Sequence, residues 1–218
     1  MSACCPAVME PARASAGGQC TPKTYRETTL FVTGPATSTA GVLAFPDIFG
    51  PDSGRIKQDA EALGKLGYVV AVVDLTGGDW IDPDDRSNMP QWAAKYAFDA
   101  WSAARVRDAI DFLKNEAGVT SISSYGYCWG AWIGAAQSAL SDPVIKGHVS
   151  FHPSWRMENT LKGEGSVEKM AERIAVPQLL LSAGNDPENV REGGSVEKIL
   201  KAKSGVVSEL SNVQDFPD

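Results

Sequence analysis

The stretch Ser121-Ile-Ser-Ser-Tyr-Gly-Tyr-Cys-Trp-Gly-Ala-Trp-Ile-Gly-Ala-Ala136 reads as a β-strand that runs straight into an α-helix. At the junction, Gly126-Tyr127-Cys128-Trp129-Gly130 has the pattern of a nucleophile elbow with cysteine in the serine place. A sharp strand-to-helix turn strains the nucleophile and leaves no room beside it, so small residues are needed two before and two after it. Gly126 and Gly130 meet that demand. A helix amino terminus also favours thiolate over thiol, through its dipole and its free N–H groups. The other reading of Cys128 is a buried structural cysteine between two glycines; the strand before it and the helix after it weigh against that.

Outward from this segment the chain alternates apolar runs with amphipathic ones, the order of an α/β fold. Thr28 to Val32 and Gly41 to Phe45 read as the first strands. Ile56, Ala60, Leu63 and Leu66 follow helical spacing, with Gly67 placed to stop that helix. Tyr68 to Leu75 is apolar on both faces, the mark of a central parallel strand. The Gly-, Pro- and Asp-rich stretch Thr76 to Pro90 reads as a long loop of the kind that lines sites. Trp101, Val106, Ile110 and Leu113 mark one face of a helix. Beyond the elbow the spacing predicts a helix from Trp129 to about Leu140 and strands at His148 to Phe151, Gln178 to Ser182 and Val206 to Leu210. Helices are predicted near Ser166 to Ile174 and Ser195 to Lys203. Each begins with Gly-Ser-Val-Glu-Lys, where Ser is expected to cap and Glu to favour the first turn. The fold class is therefore α/β, a doubly wound, mostly parallel sheet with helices on both faces.

Composition sets the outer limits. The 218 residues, 43% apolar and 22% charged, suit one domain with a real core. We expect residues 1–22 to form a flexible tail and residues 23–218 a single domain. The tail has one basic residue before Gly18, Arg13, and no apolar block like that of a signal peptide. A net charge of -7 repels polyanions, so neither nucleic acid nor an anionic membrane is an expected partner. No stretch approaches the ~20 apolar residues of a membrane span; the longest candidate, Tyr68 to Leu75, already contains Asp74. Cys4, Cys5, Cys20 and Cys128 are not spaced as a disulfide framework, which points to a reducing, cytoplasmic setting. They also lack C-x-x-C spacing, so no metal is expected, and no cofactor.

At Tyr127-Cys128-Trp129-Gly130 the sequence resembles the dienelactone hydrolase family of α/β-hydrolases, whose elbow carries a cysteine. Three further segments agree in order: Phe45-Pro46-Asp47-Ile48-Phe49-Gly50, His152-Pro153-Ser154, and Leu181-Ser-Ala-Gly-Asn-Asp-Pro187. The likeness runs from about Tyr25 to Pro217. It implies the α/β-hydrolase fold, Cys128 as nucleophile, Asp186 as orienting acid, and an oxyanion hole from the backbone N–H groups of Ile48 and Trp129. Asp47 matches an acidic position that faces the resting cysteine in the family. For Asp186 and Asp47 a second reading stays open, a turn carboxylate in each case.

A cysteine triad needs a base, nearly always histidine. The resemblance puts it after the acid, yet no histidine follows Asp186; the two in the chain are His148 and His152. Truncation at the carboxyl end, a natural loss of the tail, and a rearranged site using His152 are the competing explanations, with truncation expected. The family's final helix is missing as well, which should leave an apolar patch on one sheet face near the last strand. His148 reads as structural. The implied activity is hydrolysis of a small ester or lactone through an acyl-enzyme, by a monomer. Arg86 is a candidate for binding a substrate carboxylate, with a solvated loop arginine as the favoured reading, and Trp80, Trp129, Trp132 and Trp155 offer aromatic surface for a pocket, with ordinary core packing as the favoured reading. The alternative is a non-catalytic protein that binds a small ligand or partner in the same crevice.

Overall fold

The computed structural model describes residues 20–213. Eight strands form one sheet in the order β1-β2-β4-β3-β5-β6-β7-β8. These are β1 Thr21–Tyr25, β2 Thr28–Thr33, β3 Ala40–Phe45, β4 Val69–Val73, β5 Ser121–Tyr127, β6 His148–Phe151, β7 Gln178–Ala183 and β8 Ser208–Val213. β1 and β2 are antiparallel to their neighbours, and the six strands from β4 to β8 run parallel. All five residues of β4 are buried, as its two-sided apolar sequence requires. The chain leaves β3 for β4 on one side and returns to β5 on the other, so β3 and β5 flank the topological switch point of the sheet.

Helices α1 (Ile56–Lys65), α2 (Met89–Lys95), α3 (Ala103–Asn115), α4 (Trp129–Ser138), α5 (Arg156–Lys162), α6 (Ser166–Arg173) and α7 (Ser195–Lys201) fill the connections. The larger core joins Leu43, Phe45, Ala71 and Val73 of the sheet to Val106 and Leu113 of α3, Trp132 and Ile133 of α4, Met170 of α6 and Leu200 of α7. The opposite face is smaller: Ala44, Val70, Val72 and Tyr125 pack against Ile56 and Ala60 of α1. Farther along that face Val149, Phe151, Leu179 and Leu181 are half-buried, and Val149 and Phe151 pack against this smaller core.

Several expectations need correction. The boundary at residue 22 falls inside β1, which begins at Thr21 and hangs on the sheet edge with four of five residues exposed. Residues 1–19, with Cys4 and Cys5, lie outside the described residues. The expected loop ends early in α2, where Trp92 is buried and its Nε1 donates to the Asp79 carbonyl at 2.6 Å. A wide turn, Phe98–Ser102, then leads into α3, and α5 was not expected at all. β8 starts at Ser208, since Val207 is 80% exposed while Leu210 pairs with Leu180. The Ser residues of the repeated phrase do not cap: Gly165 and Gly194 hold the cap positions, and Ser195 Oγ donates to Glu168 Oε1, linking the two copies.

Candidate functional site

The elbow forms as its glycines require. Cys128 has φ 51° and ψ -114°, a strained conformation for a residue with a side chain, and α4 begins at the next residue. A Cβ on Gly126 would lie 2.5 Å from the Gly130 carbonyl, and one on Gly130 would lie 2.3 Å from the Phe45 carbonyl oxygen. Only glycine permits that approach on either side of Cys128. The cysteine is 6% exposed.

The segment after β6 wraps the elbow. Cys128 N donates to the Phe151 carbonyl at 2.9 Å, and Ser154 N donates to the Cys128 carbonyl at 3.4 Å. The Ser154 Oγ, buried, is 3.2 Å from Cys128 Sγ. His152, between these contacts, has φ 50° and its Nδ1 lies 3.1 Å from Asp186 Oδ1. The Asp186 side chain is 2% exposed, and its Oδ2 accepts from the backbone N–H of Ala183 at 2.8 Å. Asp186 is thus both a turn carboxylate and the partner of an imidazole.

On the other wall, the loop after β3 brings Ile48 beside the elbow, since Gly130 packs against the Phe45 and Pro46 carbonyls. The Ile48 carbonyl accepts from Ile81 N at 3.0 Å, which ties this loop to the one after β4. Trp129 is in the first turn of α4, where backbone donors have no partner within the helix. Asp47 Oδ1 accepts from Phe49 N at 2.8 Å and Oδ2 from Ser53 Oγ at 3.2 Å, bonds that shape the loop.

Of the tryptophans, Trp129, Trp132 and Trp155 are fully buried and belong to the core rather than to a pocket surface. Trp132 Nε1 donates to buried Glu158. Trp80 alone of the four is half-buried; it covers Gly50 and meets Trp129 edge-on at 6.5 Å. The Arg86 guanidinium lies 5.1 Å from the ring centre of Phe49, next to the Ile48 loop. His148 is structural: its Nε2 donates to the Ala131 carbonyl at 3.0 Å, so its Nδ1 accepts from Ser124 Oγ at 2.8 Å. Burial pushes its pKa down to about 4. Ser154 and the His152–Asp186 contact were missed as site features, because both depend on strand adjacency.

A mostly parallel sheet with a strand–cysteine–helix elbow at its switch point defines a protein of the α/β-hydrolase fold. Residues 28–207 match the dienelactone hydrolase family, and the chain belongs to that family of hydrolases. It is 29% identical over 123 residues to an endo-1,3;1,4-beta-D-glucanase of Zea mays, covering 56% of this chain and 38% of that protein. It is 26% identical over 136 residues to an uncharacterized AIM2 family protein of Schizosaccharomyces pombe, covering 58% and 53%. The matched region thus spans about two fifths to a half of these relatives' lengths. Among solved structures, a dienelactone hydrolase-like promiscuous phosphotriesterase from metagenomic libraries superimposes with TM-score 0.66 at 21% identity, over 89% of this chain and 81% of that one. Dienelactone hydrolase from Anabaena variabilis gives TM-score 0.60 at 14% identity, over 89% and 84%. At these identities the structural likeness speaks for the fold alone.

Proposed function

We propose that this chain hydrolyses small carboxylic esters or lactones, with Cys128 as nucleophile and a thioester acyl-enzyme as intermediate. The observation that carries this reading is the positive-φ backbone of Cys128 at the start of α4, with the first-turn N–H of Trp129 and the loop that carries the Ile48 N–H at the same junction. A carbonyl carbon at the sulfur would set its oxygen toward those donors, and they would stabilise the negative charge of the tetrahedral intermediate. Asp186, buried and fixed by Ala183 N, suits the orienting acid. Asp47 serves by holding the Ile48 loop in shape, a positioning role that its bonds to Phe49 N and Ser53 support. Arg86, close to that loop, is the candidate for a carboxylate on the substrate. The reading includes a monomer working in a reducing, cytoplasmic setting on a small molecule, without cofactor or metal.

The test is hydrolysis of p-nitrophenyl acetate by the wild type and by Cys128→Ala. The variant is expected to fold and to lose turnover, since relieving a left-handed cysteine of its sulfur removes no core contact larger than one atom. Turnover that survives the change would remove Cys128 from the mechanism. Tight ligand binding with no turnover in either form would favour the binding-protein reading.

A further inference from the structure

We propose that Trp80 is a specificity residue of this site: its indole walls the Ile48 loop and receives a planar aromatic ring carried by the ester, on the acyl or the alcohol side. The inference rests on the reading of the site as an ester hydrolase and names the class of ester.

Trp80 stands apart from the other five tryptophans of the sequence. Trp92, Trp129, Trp132 and Trp155 are at most 4% exposed and belong to the core. Trp101 is flanked by Tyr96, edge-on at 5.6 Å, and by the Arg105 guanidinium, 4.6 Å from its ring centre. Trp80 is half-buried in a loop whose residues 77–79 and 82–85 are exposed, so part of its side chain stays open to solvent.

Its backbone is fixed from both flanks. On one side the Asp79 carbonyl accepts from Trp92 Nε1 at 2.6 Å, and Asp79 Oδ2 accepts from the Tyr96 hydroxyl at 2.5 Å and from Lys95 Nζ at 2.9 Å. On the other side Ile81 is buried, and its N–H donates to the Ile48 carbonyl at 3.0 Å. A loop held this way offers its one tryptophan in a single place, which is what a preorganised contact with substrate requires.

That place adjoins both oxyanion donors. Ile48, Phe49 and Gly50 are consecutive; the first carries a donor N–H, the second the ring beside Arg86, and the third the backbone under Trp80. Gly50 has φ 96°, and a Cβ there would lie 2.7 Å from the indole, so the contact needs glycine. From Ile48 to Gly50 the chain spans at most ~7 Å, which brings a ring one or two bonds from the scissile carbonyl beside Trp80. On the helix side Trp80 meets Trp129, the residue with the other donor, edge-on at 6.5 Å. An aromatic ring gains offset or edge-to-face attraction on such a wall beyond the area it buries, and a saturated ring of the same size does not.

The test compares the wild type with Trp80→Leu and Trp80→Phe on matched esters: methyl phenylacetate against methyl cyclohexylacetate for the acyl side, and benzyl acetate against cyclohexylmethyl acetate for the alcohol side. A second reading, protection of Cys128 from iodoacetamide by phenylacetate or cyclohexylacetate, needs no hydrolase activity. The expected result is a kcat/KM ratio that favours the planar ring in the wild type, falls roughly 2- to 12-fold in Trp80→Leu and is largely kept in Trp80→Phe. The pair that shows the fall tells the acyl side from the alcohol side, and phenylacetate should protect at lower concentration than cyclohexylacetate in the wild type alone of the wild type and Trp80→Leu. In the wild type by itself, equal protection by the two acids and ester ratios equal to those for hydroxide would overturn the proposal, whether or not a variant folds. Ring-selective protection that Trp80→Leu loses, in a wild type that hydrolyses none of the esters, would keep Trp80 as the ring's partner and refute the hydrolase reading instead.

Discussion

Gly130→Ala puts the smallest possible perturbation at the point where the two walls of the site touch. Gly130 is in the first turn of α4, where alanine would by propensity alone favour the helix by about 1 kcal/mol. Its Cβ, however, would lie 2.3 Å from the Phe45 carbonyl oxygen and 2.4 Å from that of Pro46, where an ordinary contact begins at 3.4 Å. Both obstacles are backbone, so α4 and the loop after β3 must separate by about 1 Å. Overpacking of this kind costs roughly 1–3 kcal/mol, which outweighs the helix gain. The larger effect falls on chemistry, because Pro46 lies two residues before Ile48 in the same loop. Moving the Ile48 N–H by about 1 Å from its partner at Trp129 should cost about 10²-fold in turnover, the scale of a misplaced reacting group or a lost oxyanion donor. The assay pairs p-nitrophenyl acetate turnover with iodoacetamide alkylation of Cys128, which uses no oxyanion hole, and with a urea midpoint. Turnover should collapse while alkylation changes little. Turnover within a few-fold of wild type in a folded variant would refute the assignment of the Ile48 and Trp129 donors.

Three other perturbations read separate parts of the structure. Ser154→Ala removes a hydroxyl 3.2 Å from Cys128 Sγ, so the pH profile of Cys128 alkylation should move to higher pH, and an unmoved profile would show that Ser154 does not stabilise the thiolate. Gly134→Ala would drive a Cβ to 2.0 Å from the His148 ring, so the variant should lose roughly 1–3 kcal/mol in urea unfolding despite the better helix former; equal stability would mean that the ring can shift freely. Because burial holds His148 well below its ordinary 6.5, at about 4, the unfolded chain binds that proton first. The stability it contributes is whole above pH 6.5 and is lost as the pH falls toward 4, up to about 3 kcal/mol, and urea midpoints of the wild type and His148→Gln should differ in slope across that window.

The central strands and the elbow were legible because their signals are local. Val69–Val73 is apolar on both faces, and Gly126 and Gly130 bracket Cys128 at the spacing that sterics demand. The misses have physical causes. β1 is an edge strand with Pro22 and exposed polar residues, so it shows no buried face to read. α2 begins at the end of the expected loop and runs through residues 91–95, which carry no periodic stripe to read, and its anchor is the burial of Trp92. For Trp129, Trp132 and Trp155 the sequence favoured core packing over a pocket, since large aromatics serve both purposes, and their burial places them in the core. The meeting of His152 with Asp186 depends on β6 lying between β5 and β7, which chain order does not state.

The central claim is that Cys128 carries the acyl group. The direct measurement is mass spectrometry of the protein quenched in acid during the first turnovers of p-nitrophenyl acetate, followed by peptide mapping. The account predicts one acetyl group per chain, on the peptide that holds Cys128, formed at the rate of the p-nitrophenol burst and absent from Cys128→Ala. Steady hydrolysis with no acetyl on Cys128, or equal labelling of the variant, would contradict it.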